Sequence, residues 1–324
     1  KRSVHSTPLI SSTYLANAGN ITAMLMEQKF FREKINLFQK NLNEYKMTNS
    51  NKEVRRIERI IRGVETSDGA GVSLTRILGS PELNMLDPFL LLDEFGSDNP
   101  DEYIAGFPPH PHRGFETVTY MLHGKFRHKD TAGNEGYLED GSVQWMTAGR
   151  GVIHSEMPEQ TEGLLRGFQL WINLPKEKKM IKPAYNDIPP DMIPTVKVEN
   201  SEVKVISGVF SNTTGPGKPY TGVLYLDIKL RSHLVIPIDD GWNAMCYVYE
   251  GEMESGKVLS KGDLAVMSKN GSLECINKAD GTRMLLIAGK PLNEPVARGG
   301  PFVMNTKSEI VQAFEDFQSG SFGK

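Results

Sequence analysis

The amino-acid sequence predicts an all-β protein of two barrels or sandwiches, and three observations support this fold class. From about residue 55 onward, short apolar or alternating segments recur between Gly, Pro, Asn and Asp residues; examples are "VSLTRIL", "FETVTYML", "GVLYLDIKL" and "RMLLIAG". No helical segment separates successive strands, which disfavours a parallel α/β sheet. The chain has 324 residues, of which 39% are apolar and 24% charged, and this is enough for two globular domains.

Residues 1–54 lack the strand pattern and are predicted to be an N-terminal extension, either flexible or a targeting segment. Residues 1–26 contain no acidic residue and two basic residues at the start, which faintly resembles an organelle transit segment; a flexible leader is the simpler interpretation. The stretch "MLMEQKFFREKINLFQKNLNEY" at 24–45 spaces its apolar side chains as an amphipathic helix does. It is interpreted as a helix that docks on the rest of the protein.

A proline-rich interval divides the strand region. The segment "LPKEKKMIKPAYNDIPPDMIP" at 174–194 interrupts the alternating pattern near the middle of that region. We therefore expect an N-terminal barrel at 55–180, a linker at 181–190 and a C-terminal barrel at 191–308.

The residues after the second barrel predict a C-terminal helix and tail at 309–324. Thr306 and Glu309 have the spacing of a capping box, in which the two side chains bond to each other's backbone N–H groups. Ile310, Ala313 and Phe314 follow at helical spacing. The last residues, "QSGSFGK", are expected to fray.

Charge and cysteine content exclude several classes of function. The formal net charge of -3 and the pI near 6.2 give no electrostatic reason for direct, sequence-specific binding to nucleic acid. Cys246 and Cys275 are the two cysteines, and they provide neither a disulfide scaffold nor a thiolate metal site, which fits a reducing compartment. No apolar run approaches the roughly 20 residues that span a bilayer, so a membrane protein is not expected.

The segment "GFPPHPHRGFETVTY" contains the first pair of candidate metal ligands. On a strand, residues i and i+2 project from the same face, so His110 and His112 are predicted to point together into a barrel. Glu116 has the same parity and is a candidate carboxylate ligand. Its other interpretation is a supporting role, in which it orients an imidazole N–H or pairs with Arg113.

A second pair with the same spacing lies in "AGRGVIHSEMP". His154 and Glu156 are again i and i+2, and the preceding Gly149 and Gly151 permit a tight turn into that strand. Antiparallel pairing would place three imidazoles and a carboxylate around one cation. This donor set suits Fe(II) or Fe(III), which is favoured, and also Mn, Ni, Cu or Zn.

Other residues near these motifs have simpler interpretations. His123 and His128 flank the turn "HGKFRH" and are expected to be exposed or hairpin residues, and Arg150 is expected to face solvent. Four apolar residues are candidates for the walls of a ligand pocket, although each is more often core: Trp145, Met146, Phe168 and Trp171.

The two histidine segments, together with four others, resemble the pirin family of the cupin superfamily. The resemblance covers about residues 55–317 and rests on "DPFLLLDEF", "FPPHPHRGFETVTY", "VQWMTAGRGVIHSEMP", "FQLWINLP", "LYLDIKL" and "GPFVMNT". It implies a bicupin, that is, two cupin β-barrels packed face to face, with iron in the N-terminal barrel and a degenerate C-terminal barrel. The resemblance also implies that the metal ligands are His110, His112, His154 and Glu156. A general cupin would instead take its carboxylate ligand from the first motif, at Glu116.

The resemblance implies two functions of different classes. The favoured one is a regulatory protein of the nucleus and cytoplasm, a transcription cofactor or signalling partner whose metal redox state modulates binding to transcription factors or signalling proteins. The alternative is a metal-dependent quercetin 2,3-dioxygenase that opens a flavonol-like small molecule with O2. In that enzyme Glu156 would be a ligand and the catalytic base, supported by Glu116. Organelle targeting by the N-terminal extension remains open.

Overall fold

The computed structural model describes residues 53–131 and 133–324, and these residues form a mostly β structure. The helix expected at 24–45 and the rest of the N-terminal extension before residue 53 lie outside the described residues. No helix within the described ranges is long and apolar enough to cross a membrane.

Twenty-six strands and one α-helix lie in the described part of the chain, together with three short 3-10 turns at Pro100–Glu102, Lys176–Lys178 and Pro190–Met192. The helix α1 spans Lys307–Ser319. The strands in chain order are β1 (Ile57–Arg62), β2 (Val64–Asp68), β3 (Val72–Leu78), β4 (Phe89–Ser97), β5 (Phe107–His112), β6 (Phe115–His123), β7 (Phe126–Asp130), β8 (Glu135–Leu138), β9 (Val143–Thr147), β10 (Val152–Pro158), β11 (Leu165–Asn173), β12 (Ala184–Ile188), β13 (Thr195–Val198), β14 (Ser201–Ser207), β15 (Val209–Phe210), β16 (Thr213–Thr214), β17 (Val223–Leu230), β18 (His233–Ile236), β19 (Asn243–Glu250), β20 (Glu252–Glu254), β21 (Val258–Ser260), β22 (Asp263–Met267), β23 (Leu273–Asn277), β24 (Thr282–Gly289), β25 (Ala297–Gly299) and β26 (Phe302–Met304).

The strands build two barrels of the same plan, each from a seven-stranded and a four-stranded sheet. In the first barrel the strand orders are β12-β9-β6-β11-β4-β3-β2 and β5-β10-β7-β8. In the second barrel they are β1-β22-β19-β24-β17-β14-β13 and β18-β23-β20-β21. All strand pairs within these four sheets are antiparallel, so the expected all-β class is confirmed.

The two seven-stranded sheets face each other across the largest shared core. Val118, Tyr120 and Phe168 of the first barrel are buried in one apolar cluster with Tyr225 and Leu285 of the second. Because alternate residues of a strand point to opposite faces, the same strands also line their own barrel interiors. The face-to-face packing of the two barrels is therefore confirmed.

Polar side chains cross this interface at several places, two of them at Tyr120 and Arg166. The hydroxyl of Tyr120 donates to Asp227 at 2.7 Å. The guanidinium of Arg166 pairs with Glu94 of its own barrel and with Glu250 of the other, each at 2.8 Å. These bonds satisfy groups that would otherwise lose hydrogen bonds to water on burial.

One strand of the expected N-terminal barrel belongs to the second barrel, and this corrects the expected domain boundaries. β1 lies in the range 55–180 but pairs with β22 of the second barrel, where Ile57 and Ile61 are buried. The buried guanidinium of Arg55 anchors this strand by donating to four backbone carbonyls of the second barrel. The expected linker at 181–190 contains β12, which pairs with β9 and completes the first barrel's large sheet.

The C-terminal segment folds back onto the first barrel. Phe302 of β26 forms a bridge with Arg113, and Arg113 pairs with Asp316 of the helix at 2.7 Å. The predicted capping box is present, with Thr306 and Glu309 each accepting from the other's backbone N–H, and the helix begins at residue 307 rather than 309.

The tail after the helix packs against the protein, whereas it was expected to fray. Gly320 ends the helix with a φ of 74°, a conformation that glycine adopts without strain. The chain then reverses, and the ring of Phe322 packs on Phe302, with ring centroids 5.4 Å apart. The Cζ atom of Arg113 lies 4.6 Å from the centroid of the same ring.

Candidate metal centre and adjoining cavity

Two neighbouring strands bring the three predicted histidine ligands together. β5 and β10 pair antiparallel, with His110 directly opposite His154 and His112 opposite Val152. One ring nitrogen from each histidine can be chosen so that the three lie within 4.8 Å of one another. Within residues 53–131 and 133–324 this is the one such group of His, Cys, Asp or Glu, so the second barrel has no counterpart among the described residues.

Burial keeps two of these imidazoles in the form that binds metal. The side chains of His112 and His154 are 3% and 1% exposed, and desolvation lowers the pKa of both well below the usual range. A neutral imidazole offers a ring nitrogen lone pair, whereas a protonated one does not.

The unused nitrogens of the cluster fit a cation. Nδ1 of His112 and Nε2 of His154 are buried without a hydrogen-bond partner, which costs about 1–3 kcal/mol for a typical polar group. Nδ1 of His110 lies 2.8 Å from the carbonyl oxygen of Pro108 and must donate to it, because a carbonyl only accepts. Nε2 of His110 is then the nitrogen with a free lone pair. The three imidazoles therefore fit a metal ion.

Glu156 lies beside the cluster and is 1% exposed. Its Oε1 accepts from the hydroxyl of Thr119 at 2.9 Å, and its Oε2 accepts from Nε2 of Gln169 at 3.0 Å. The ligand atoms that lie within 4.8 Å of one another belong to the three histidines, and the carboxylate of Glu156 is not among them. The assignment of Glu156 as the fourth ligand stays a prediction.

Glu116 points away from the histidines, toward the interface between the barrels. Its carboxylate accepts from Trp145 and Thr147, each at 3.0 Å, and from the backbone N–H of Tyr220 in the second barrel. Neither an imidazole nor Arg113 donates to it among the described residues. Burial raises the pKa of Glu116 to about 7, and these hydrogen bonds oppose that rise.

A glycine turn explains why the parity argument is wrong for Glu116. The strand is interrupted between His112 and Phe115, and Gly114 in the gap has a φ of 87°. A Cβ at this position would lie 1.9 Å from the carbonyl oxygen of Val303, so a larger residue does not fit. After the turn, counting by two from the histidines no longer identifies the same face.

His128 is buried at the cluster, which corrects the expectation that it is exposed. It is 0% exposed, its Nδ1 lies 3.4 Å from Nδ1 of His154, and its ring centroid is 4.3 Å from that of Tyr185. The alternation in "FRHKD" could have predicted this burial, because His128 lies two residues after the buried Phe126 and so points to the same face of the strand. His123 is exposed, as expected.

Arg150 was expected to face solvent, but it is half-buried. Its Nε donates to the carbonyl of Gly323 at 3.0 Å, because the C-terminal tail returns over this turn.

A cavity of about 950 Å³ opens beside the histidines, with His110 and His112 in its wall. Of the four apolar residues considered as pocket walls, Trp171 lines this cavity, whereas the others are core residues elsewhere. Several polar lining residues were not predicted from the sequence, because they lie on separate strands: Asp68, Arg76, Asp93, Gln169 and Arg298.

Comparisons with known proteins agree with this architecture. The family model described as Pirin matches residues 71–172, and the one described as Pirin C-terminal cupin domain matches residues 223–323. A pirin-like protein of Caulobacter vibrioides is 48% identical over 283 residues, which are 83% of this chain and 99% of that protein. Human pirin is 42% identical over 269 residues, 80% of this chain and 91% of its own length.

The fold is also similar to that of a solved enzyme structure. A quercetin 2,3-dioxygenase from Acinetobacter baumannii superposes with a TM-score of 0.78 at 33% identity, covering 84% of this chain and 99% of that one. The matches thus extend over both barrels and nearly the whole length of each relative. On these grounds the chain belongs to the pirin family, within the cupin superfamily.

Proposed function

We propose that the protein is a metal-dependent dioxygenase of the quercetin 2,3-dioxygenase type, acting on a flavonol-like substrate. The observation that carries the proposal is the position of the histidine cluster, because His110 and His112 line a cavity of about 950 Å³. Structural metal sites are closed by protein ligands, whereas catalytic sites keep a position open to a ligand. A cavity of this size accommodates a molecule of three fused or linked rings.

The metal ion would be held by His110, His112 and His154, with Glu156 as the proposed fourth ligand. Iron is our first assignment, and Mn, Ni, Cu or Zn suit the same donors. When bound, the ion supplies Lewis acidity toward a ligand oxygen and, for a redox-active metal, electron transfer with O2.

The protein's own residues would position the substrate and take its proton. We infer that Glu156 accepts the proton of a flavonol hydroxyl, and the hydrogen bonds that orient its carboxylate, from Thr119 and Gln169, support this role. The apolar wall residues Phe95, Phe107 and Trp171 would exclude water from a flat aromatic ligand.

The test is anaerobic iron loading followed by parallel measurement of flavonol loss and O2 uptake. We expect turnover in the native chain, none in His110→Ala, and unchanged turnover in His123→Ala, where an exposed histidine outside the cluster is removed. Iron bound at one equivalent in the native chain without any flavonol loss would refute the enzymatic proposal.

A second candidate function is regulatory, and one contact favours it. An electrostatic interaction links the imidazole of His112 to the backbone carbonyl of Pro301, at the tip of the β25–β26 hairpin, whose second strand bridges to Arg113. A change in metal oxidation state would alter the polarisation of the imidazole N–H and so the strength of its interaction with the C-terminal segment. Under this proposal the protein acts in the nucleus and cytoplasm on transcription factors or signalling proteins.

Hydrogen exchange separates this function from the first. If the regulatory proposal is correct, the amides of residues 297–320 exchange at different rates in the ferrous and ferric proteins. Equal exchange in the two oxidation states would remove its physical basis.

A further inference from the structure

Arg298 lines the cavity as an exposed residue, and its direct contacts are with neutral groups, whereas the carboxylate of Asp93 acts on it only at longer range. Its Cζ atom lies 5.1 Å from the centroid of the Trp171 ring, in cation–π geometry. Its Nη1 donates to the backbone carbonyl of Leu90 at 3.3 Å. These two contacts orient the guanidinium, and most of its five N–H donors are not used by the protein.

The other arginine of the cavity differs in this respect. Arg76 pairs with Asp93 at 2.8 Å and with Asp68 at 3.1 Å, and it donates to both oxygens of Asp93. Its charge is thus compensated by carboxylates of the same wall. In the described part of the chain, Arg298 forms no ion pair with a carboxylate within 4.0 Å, and the nearby Asp93 is already paired with Arg76. An uncompensated positive charge in the wall of a cavity attracts anions.

We propose that Arg298 binds a carboxylate on the ligand, so that the cavity selects planar aromatic molecules with an anionic substituent over neutral ones. The planar aromatic part of this inference rests on the proposed function, while the anionic part rests on Arg298 itself. A guanidinium presents parallel N–H groups whose spacing matches a carboxylate. Trp171 and Leu90 fix this donor before the ligand arrives, which reduces the entropy lost on binding.

The test is isothermal titration calorimetry of the iron-loaded full chain, kept anaerobic, with two probes. The probes are 3-hydroxyflavone and its 4′-carboxy derivative, which differ by one negative charge. We expect the native chain to prefer the carboxylate probe by about 10-fold to 100-fold, the range of a charge-assisted hydrogen bond. Arg298→Gln should lose this preference while binding the neutral probe within about twofold of the native chain.

Two further variants separate the effect of the paired N–H donors of Arg298 from that of charge alone. Arg298→Lys keeps the charge but not the paired donors, so it should retain part of the preference. Arg231→Gln removes an exposed arginine of the second barrel and should leave the preference intact. A native chain that binds both flavonols equally, or an Arg298→Gln variant that keeps the preference, would overturn the inference.

Different outcomes would refute the anion site at Arg298 and the proposed function. If neither flavonol binds the native chain, the proposed function is wrong, and the same titrations are made with 2-naphthoate and 2-naphthamide. Selective binding of naphthoate that Arg298→Gln abolishes would support the anion site without a flavonol substrate. Equal binding of the two naphthalenes, or binding of neither, would refute the anion site as well.

Discussion

Gln169 and Glu156 are joined side chain to side chain, because Nε2 of Gln169 donates to Oε2 of Glu156 at 3.0 Å. The other end of the same amide, Oε1, accepts from the indole Nε1 of Trp171 at 3.1 Å. An indole nitrogen can only donate, so this second bond determines which end of the amide faces the carboxylate. The orientation of the carboxylate beside the histidines thus depends on an aromatic residue of the cavity wall.

Replacement of Gln169 by Leu should weaken metal binding by about 10-fold to 100-fold, the usual effect of removing a group that orients a ligand. Trp171→Phe should weaken it less, since the amide remains but is free to turn over. Competition with a chelator measures both affinities, and Gln312→Leu on the exposed face of the helix is the control. Native affinity in both cavity variants would contradict the role of Glu156 as a ligand.

Removal of His154 should abolish stoichiometric metal, because its Nε2 is one of the buried nitrogens without another partner. His128→Ala should keep the site but lower its affinity by about 10-fold, since His128 supports the ring of His154 from behind. The metal content of each variant after gel filtration measures how much metal it retains. His233→Ala, an exposed histidine of the second barrel, is the control. Full iron occupancy in His154→Ala would refute the ligand assignment.

The pairing of His110 with His112 was predictable from spacing because its geometry is local. His110 and His112 belong to one uninterrupted strand, so the i and i+2 rule applies to them. The rule gives the wrong face for Glu116, because the turn at Gly114 separates it from that strand. A positive φ is permitted by glycine but not required by it, so the sequence alone does not reveal the break.

The placement of β1 in the second barrel was not predictable from the sequence. The apolar pattern of β1 indicates a strand but contains no information about which sheet it joins. Its partner β22 lies about 200 residues later, and the choice depends on the packing of Ile57 and Ile61 in the second barrel and the interface. Arg298 was missed for the same reason, since it meets Trp171 only in the folded chain.

The raised pKa of Glu116 predicts a decrease in stability with increasing pH. The folded carboxyl has a pKa of about 7 and the unfolded one a value near 4.5, so the native state binds more protons between these values. The stability this group contributes is fully present below about pH 4.5 and is lost as pH rises toward 7, a change of about 3 kcal/mol. Glu116→Gln should remove this loss.

Urea unfolding at pH 5, 6, 7 and 8 measures the effect as the difference between the native chain and Glu116→Gln. The difference cancels titrations shared by both proteins, including that of Asp93, whose pKa burial raises to about 6. Glutamine keeps an oxygen for Trp145 and Thr147, so the variant should fold. Parallel stability curves for the two proteins would show that Glu116 titrates normally.

Lys179 should be the main polar anchor of the C-terminal hairpin on the first barrel. Its Nζ is buried and donates to the carbonyls of Gly114 and Val303 and to Oδ1 of Asn173, at 2.7 to 2.9 Å. Lys179→Met fills the same space but leaves three acceptors without a donor, at a cost of about 3 kcal/mol.

Because one of those acceptors lies in β26, the loss of stability should be largest in the C-terminal segment. Hydrogen exchange of residues 297–319 should therefore accelerate more in Lys179→Met than exchange in the second barrel's core strands, and the midpoint of urea unfolding should fall. The exposed Lys182→Met is the matched control and should change neither quantity. Uniform acceleration across both barrels would instead mean that Lys179 supports the fold as a whole. In that case the hairpin that carries Arg298 and Pro301 would depend on other contacts for its place beside the cavity.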